Sequence, residues 1–502
     1  MTMPRTTILV LSLLPGCGYP FDILYDGPDG PGLDSLEGTR TAPPTSQGDE
    51  GTDDSAAADS STTGGATTDG TTTDSVTSET TATTEPGEDM CVPPQLECPA
   101  PAAEDCATDL VDENCDGDSM CPGEPLAGRD FAGTNDIILG VEVGPSGDVL
   151  LLGFSEDSVD FGGVCEPVSG AFIARFERET LECETVLALP EEFTVDDLAV
   201  EEDCSVVVVG GTLGSAAALR LTGDWTHAID VVTAANGTEI TAVAIDDGIS
   251  VVGLCEGGMW VADLDADLGV SADDCVVGAT SRDIARRGGA VAVTGYYYED
   301  SVFGAVNLMS RDADDGSTDV FVAVFASGTD IQWTAAEGMG GESSDYGYGV
   351  AIGANGDVFV TGLVDSAMFL PFGTGPALDC EDCLGYDAFV AALDSDLVHK
   401  QTVRYGTNNN QIGSAIAVDA AGSVLVSGGF KTNIKIGQET ILSHPTDTYA
   451  VFHAKLDPAD LELSYWQREV DGMVDNFMAV DMLGSIIVSE DDETIYIRPF
   501  SP

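Results

Sequence analysis

The sequence predicts an all-β protein: a seven-bladed β-propeller closed by pairing of its N- and C-terminal strands and preceded by a disordered stalk. Three observations predict it. A 13-residue strand–turn–strand pattern recurs seven times after residue 140. A second apolar strand motif falls between successive copies of the first, six times in all. An orphan half-unit at each end of the repetitive region supplies what the unequal counts lack.

Composition sets the outer bounds. At 502 residues, with 59 Gly and 43% hydrophobic residues, the chain has material for a tail and one large turn-rich domain. It carries 88 acidic against 17 basic residues, a net charge of −71. Nucleic acid and anionic membrane surfaces require clustered Lys and Arg, so both are excluded as partners. Thirteen Cys imply an oxidising compartment. Setting Cys17 aside leaves an even twelve, enough for six disulfides whose connectivity stays open.

Taken in order, residues 1–17 form a leader. Arg5 supplies a positive start, and Ile8 to Leu14 an apolar run too short to span a bilayer. The run ends Leu14-Pro15-Gly16-Cys17, which resembles the lipobox of bacterial lipoproteins, with Pro15 an unusual residue at its position. That resemblance implies a signal peptide cleaved before Cys17 and lipidation of Cys17. Gly18 in place of Asp implies sorting to the outer membrane or cell surface. The other reading is an ordinary secretory signal with an incidental Cys.

Residues 18–90 are Thr, Ser, Gly, Asp and Glu, and between Gly48 and Met90 the only large aliphatic residue is Val76. Such a segment cannot offset its chain entropy and is expected to be disordered. A coil of this length spans on the order of 45 Å, a tether holding a domain off a membrane.

Residues 91–121 hold Cys91, Cys98, Cys106, Cys115 and Cys121. The run from Cys106 to Asp118 resembles the short Cys/Asp-rich metal-binding motif of exported myxobacterial proteins, although its first Asp-Gly is missing. Hard cations take several carboxylate oxygens from one tight loop, which Gly117 permits. Asp109, Asp112, Glu113, Asp116 and Asp118 are therefore candidate calcium ligands. A disulfide-knotted acidic spacer is the alternative.

From 122 to 502 the repeats dominate. The first pattern begins at Val141, Leu198, Val243, Asp283, Val350, Ile416 and Met478, and its best copy reads Val350-AIGANGDVFVT-Gly362. Spacings of 40 to 67 residues suit four-stranded blades with loops of varying length. The second motif is clearest in Asp319-VFVAVF, Asp387-AFVAAL and Ala450-VFHAKLD. Trp225, Trp333 and Trp466 follow it in three units and are expected to pack between blades. Arg129-DFAGTN aligns with Arg404-YGTN, and Thr494-IYIRPF is an unmatched strand near the end. Pairing the two closes the ring and removes its exposed edges. Residues 319–362 resemble the SBBP β-propeller repeat of exported bacterial proteins, whose consensus runs D-x-F-V-A-K-[LF]-D, a Trp strand, G-G, then A-V-D-x-x-G-N-V-Y-V-T-G. The resemblance implies a propeller and export, and no particular chemistry.

No catalytic signature emerges. The four His (His227, His399, His444, His453) show no metal-ligand spacing, and no nucleophile elbow, P-loop or dinucleotide fingerprint is present. Cys380 and Cys383 read as a structural bridge clipping an acidic loop. The sequence therefore points to a monomeric, non-catalytic module binding a protein or glycan at the cell surface, touching the membrane only through a lipid anchor. The alternative is a hydrolase or lyase working at the channel mouth. Candidate contact loops are Tyr296–Thr318, Asp365–Gly385 and Lys431–Thr446, with Tyr296, Tyr297 and Tyr298 as candidate contacts or as blade-edge packing.

Overall fold

The computed structural model describes residues 128–500, apart from short internal segments of which 311–316, 370–377, 380–384, 442–448 and 469–475 are the longest. The segments expected to be leader, stalk and Cys-rich spacer lie outside the described residues. So do Cys17, Asp109, Asp112, Glu113, Asp116, Asp118, Cys380 and Cys383.

Seven antiparallel sheets of four strands make up the domain. Blade 1 comprises Asp136–Val143, Val149–Val159, Val168–Phe176 and Cys183–Ala188. Blade 2 comprises Thr194–Val200, Val206–Thr212, Ser215–Leu221 and Ala228–Thr233, and blade 3 Glu239–Ile245, Ile249–Cys255, Gly258–Leu264 and Val270–Val277. Blade 4 uses Ala279–Arg287, Ala290–Tyr297, Asp319–Ala326 and Gln332–Met339. Blade 5 uses Tyr346–Ile352, Val358–Val364, Asp387–Leu393 and His399–Tyr405. Blade 6 follows with Gln411–Val418, Val424–Lys431, Tyr449–Leu456 and Leu463–Arg468. Blade 7 takes Asn476–Asp481, Gly484–Asp491 and Thr494–Phe500 from the end of the chain and Arg129–Ala132 from its start.

Ring closure is therefore a β-pairing between distant parts of the sequence. Arg129 lies opposite Ile497 and Ala132 opposite Thr494 in an antiparallel ladder. Arg498 forms an ion pair with Asp130 and donates to the Arg129 carbonyl at 3.1 Å. Phe131 enters an aromatic cluster with Phe161 and Phe176 of blade 1, ring centroids 5.3 and 5.4 Å away. The N-terminal strand thus completes blade 7 and seals it against its neighbour.

First strands of neighbouring blades touch around the whole ring and so surround its axis. Apolar layers lie between consecutive blades, from blades 1 and 2 through to blades 7 and 1. This explains the sequence pattern. The two middle strands of a blade are covered on both faces, so Val206–Gly211 and Asp319–Phe325 are buried without interruption. Outer strands meet solvent on one side, and Val270–Val277 alternates instead.

The three longest spacings of the repeats follow from one kind of insertion. Two-stranded hairpins sit between the second and third strands of blades 4, 5 and 6: Ser301–Phe303 with Val306–Leu308, Met368–Phe369 with Leu378–Asp379, and Ile434–Ile436 with Glu439–Ile441. They occupy the three loops expected to make contacts. Blades 2 and 3 lack such hairpins and are short for that reason.

The glycine that ends the 13-residue pattern has a geometric cause. In blades 1 to 6 the first strand carries a register shift opposite that glycine, for example between Gly347 and Gly349 opposite Gly362. The bulge pushes a carbonyl toward the neighbouring strand. A Cβ on Gly210, Gly295 or Gly362 would collide with the carbonyl oxygen of Thr194, Thr280 or Tyr346. Blade 7, where Glu490 stands in that column, pairs Asn476–Asp481 without a shift.

Disulfides join Cys165 to Cys183 in blade 1 and Cys255 to Cys275 in blade 3, and Cys204 is also disulfide-bonded. Trp225 is buried beneath the Arg175 guanidinium. Trp333 donates to Asp274 on the outer strand of blade 3 at 2.8 Å, tying adjacent blades together. The Trp466 side chain lies outside the described residues.

Candidate functional site

Antiparallel strand order sends the connections of every blade to two faces. Turns between first and second strands, and between third and fourth, emerge on one face. The second-to-third connections and the crossings to the next blade emerge on the other, so all three hairpin insertions project from a single face. Tyr296, Tyr346 and Tyr386 stand at strand ends on that insertion face.

The seam between blades 4 and 5 gathers the aromatic residues. Tyr296, near the end of the second strand of blade 4, meets Tyr346 edge-on with centroids 5.0 Å apart. Tyr346 in turn stacks on Tyr348 at 6.2 Å with ring planes 6° apart. Arg282 places its guanidinium over the Tyr296 ring, 5.2 Å from the centroid. Arg282 and Tyr348 are each the extra residue of a first-strand bulge, which turns both toward this seam. All four side chains are half-buried. The buried Nε of Arg282 has no hydrogen-bond partner among the described residues. Other arginines hold carboxylates: Arg220 with Glu201, Arg286 with Asp247, Arg404 with Asp387.

Of the sequence-predicted contacts, Tyr296 belongs to this cluster and Tyr298 is 39% exposed beside it in the chain. Tyr297 is corrected to a core residue. It is 2% exposed and packs with the apolar layer between blades 3 and 4, because strand alternation turns it away from its neighbours. Arg282, Tyr346 and Tyr348 were not singled out from sequence. Their signal was slight: polar or aromatic residues just before the repeat column, where a bulge was not legible.

A buried carboxylate holds the rim of this seam. Asp345 donates its amide to the Thr318 carbonyl and accepts from Gly341 and Asp365 amides, all within 2.9 Å. Desolvation raises its carboxyl to about 7. Nearby, burial and the charge of Asp365 raise the Tyr386 phenol.

A second set of groups faces the ring axis. Desolvation raises Asp283 to about 6 and Glu142 to about 7, and raises Asp197 well above the carboxylate range. These groups from blades 1, 2 and 4 sense one another's charge, so they share the central space. The two aspartates act as clamps between blades. Asp197 accepts from Leu198 and from Val243 of blade 3, and Asp283 from Ile284 and from Val350 of blade 5. On the opposite face, a cleft of about 280 Å³ lies between blades 3 and 4. Its floor is an internal network: Arg286 engages Asp247, Ser250 and Ser327, and Asp263 accepts from Ser250 and Ser327 at 2.6 Å each. The polar atoms of that cleft are largely spent on each other. No cluster of three or more His, Cys, Asp or Glu able to hold a metal ion occurs among the described residues.

The chain matches no protein-family model and no curated protein. Among solved structures it is similar to the Dos1 propeller (9% identity, TM-score 0.40, covering 75% of this chain and 95% of that one). It is also similar to a streptogramin B lyase (8% identity, TM-score 0.39, covering 74% and 98%). A third is Drosophila Plexin A in complex with Semaphorin 1b (9% identity, TM-score 0.37, covering 75% and 87%). Seven four-stranded sheets and the N-to-C pairing that closes them identify the fold of this chain as a seven-bladed β-propeller.

Proposed function

We propose that this protein is a non-catalytic binding module anchored at the bacterial cell surface, with its ligand platform on the insertion face at the blade 4–5 seam. One observation carries the reading: Arg282, Tyr296, Tyr346 and Tyr348 converge there, half-exposed, with the Arg282 Nε unmatched among the described residues. Amphipathic rings and a donor-rich cation are groups that recognition surfaces favour. The lipobox-like Leu14–Cys17 and the polar tether after it support surface anchoring, and the SBBP-like repeat supports export. Capture of surface glycans and proteins by the wild-type chain, against a Tyr346→Ala/Tyr348→Ala variant with native melting, tests the platform. Equal capture by both overturns it. Palmitate labelling of wild type against Cys17→Ala tests the anchor, and equal labelling rejects it.

A hydrolase or lyase is favoured by one observation, the raised carboxylates around the axis. Asp197 and Asp283 are poor acids or bases for it, since backbone amides of two blades occupy their oxygens. Glu142 is the remaining group. Turnover of a captured glycan that disappears in Glu142→Gln would favour the enzyme reading over the module.

A further inference from the structure

We infer that the blade 4–5 seam takes a pyranose bearing a single carboxylate, the acid lying on Arg282 and the sugar ring against Tyr346 and its neighbours. The inference rests on the binding-module reading and names its ligand class.

The charge inventory comes first. The chain has 88 acidic and 17 basic residues, so an arginine is rarely far from a carboxylate. Arg282 nonetheless forms no ion pair among the described residues, and its buried Nε has no hydrogen-bond partner among them. A planar guanidinium is built to hold a carboxylate through two parallel N–H donors. The Tyr296 ring supports the cation through a cation–π contact, 5.2 Å from the ring centroid, which supplies no hydrogen-bond acceptor of its own. The ring contact and the burial of Nε restrain the Arg282 side chain before any ligand arrives, which lowers the ordering entropy lost on binding.

The rings then select the remainder of the ligand. Tyr296, Tyr346 and Tyr348 form a half-buried cluster of amphipathic rings, a surface chemistry that suits the C–H side of a pyranose. Asp283, Asp345 and Asp365 lie close in sequence or structure to the cluster. With the overall charge of −71, the protein disfavours polyanions relative to a ligand carrying a single carboxylate.

The test titrates the full chain with methyl glucuronide, methyl glucoside, acetate and an acetylated aspartyl peptide amide, read by ligand-observed NMR. The two sugars differ only at the carboxylate carbon. Wild type is expected to bind the glucuronide roughly tenfold or more tightly than the glucoside, the worth of a charged hydrogen-bonded contact. Arg282→Gln should bring the glucuronide down to the level of the glucoside, Arg282→Lys should restore part of the difference, and Tyr346→Ala should weaken both sugars. Melting curves establish that each variant is folded.

Equal affinity for the two sugars, or a glucuronide affinity unchanged in Arg282→Gln, overturns the acid assignment. Binding of acetate or the peptide as tightly as the glucuronide overturns the sugar. A wild-type chain that binds neither sugar, yet captures a surface partner through Tyr346, sinks this inference and leaves the module reading intact.

Discussion

Gly362 and Leu397 occupy backbone positions that most side chains could not accept, for opposite reasons. Gly362 has no room for a Cβ because the bulge in the facing strand presses the Tyr346 carbonyl against it. Gly362→Ala should cost on the order of 2–4 kcal/mol in denaturant unfolding; a loss below about 0.5 kcal/mol would show that the carbonyl simply moves. Leu397 sits at φ 59° in the turn between the third and outer strands of blade 5, held by the Asp394 carboxylate, which accepts from Asp396 and Val398. Leu181, Leu268 and Leu461 repeat the device in blades 1, 3 and 6. A left-handed Leu costs about 1–2 kcal/mol, which its near-complete burial offsets. Both replacements lose that burial, but glycine also relieves the φ. Leu397→Gly should therefore be less destabilising than Leu397→Ala, the reverse of their order within a strand. An unaltered order in thermal melts would count against stored strain at this turn.

At the scale of elements, the closing strand is short and its contribution is concentrated. Only Arg129–Ala132 pairs with Ile495–Ile497 and its neighbours, and Phe131 alone enters the aromatic cluster. Phe131→Ala should cost about 3–5 kcal/mol and open blade 7 to proteolysis before the other blades. Limited digestion that instead begins elsewhere would place the weak point outside the closure. Cys255 and Cys275 bridge the second and outer strands of blade 3 across 20 residues. Replacing both by Ser should lower stability by about 3 kcal/mol, because the unfolded chain regains the entropy of that loop. Matching melts for variant and wild type would mean that blade 3 is held by packing alone.

Across the whole molecule, buried titratable groups set a pH dependence of definite sign. Asp283 at about 6, Glu142 and Asp345 at about 7 and Asp196 at about 8 all titrate above their ordinary values in the folded protein. The folded state therefore holds protons that the unfolded chain releases. Their contribution is complete below the ordinary carboxylate pKa and is lost as pH rises through about 6 to 8. For fully buried Asp345 alone this amounts to on the order of 4 kcal/mol. His453 works in the other direction. Burial and the Lys455 charge lower it to about 3, so its contribution is present above the ordinary His value and is lost as pH falls. The melting temperature should thus peak on the mildly acidic side and decline toward about pH 8. High salt screens the repulsion among surface carboxylates but not the desolvation of buried ones, so the decline should persist in about 1 M NaCl. Asp345→Asn should flatten it, and an equally steep profile in that variant would assign the slope to other groups.

The seven-fold count, the strand order within a blade and the meeting of Thr494–Phe500 with Arg129–Ala132 were all legible in the sequence. Each rests on local patterning: runs of apolar residues where strands are covered on both faces, and turn glycines between them. The column of glycines was legible as a repeat, but its cause was not, because the carbonyl it avoids belongs to the opposite strand of a bulge. The candidate site divides along the same line. Tyr296 stood out as one of three consecutive tyrosines, while its partners Arg282, Tyr346 and Tyr348 lie up to 66 residues apart in the chain. Sequence by itself determined a closed ring of seven sheets, since burying a blade requires only its own alternation and its neighbours. Which side chains meet at a seam, and that Arg282 meets a tyrosine ring there and no acid among the described residues, only the tertiary structure decided. Those outcomes depend on bulges that rotate single residues out of register and on the packing of one blade against the next.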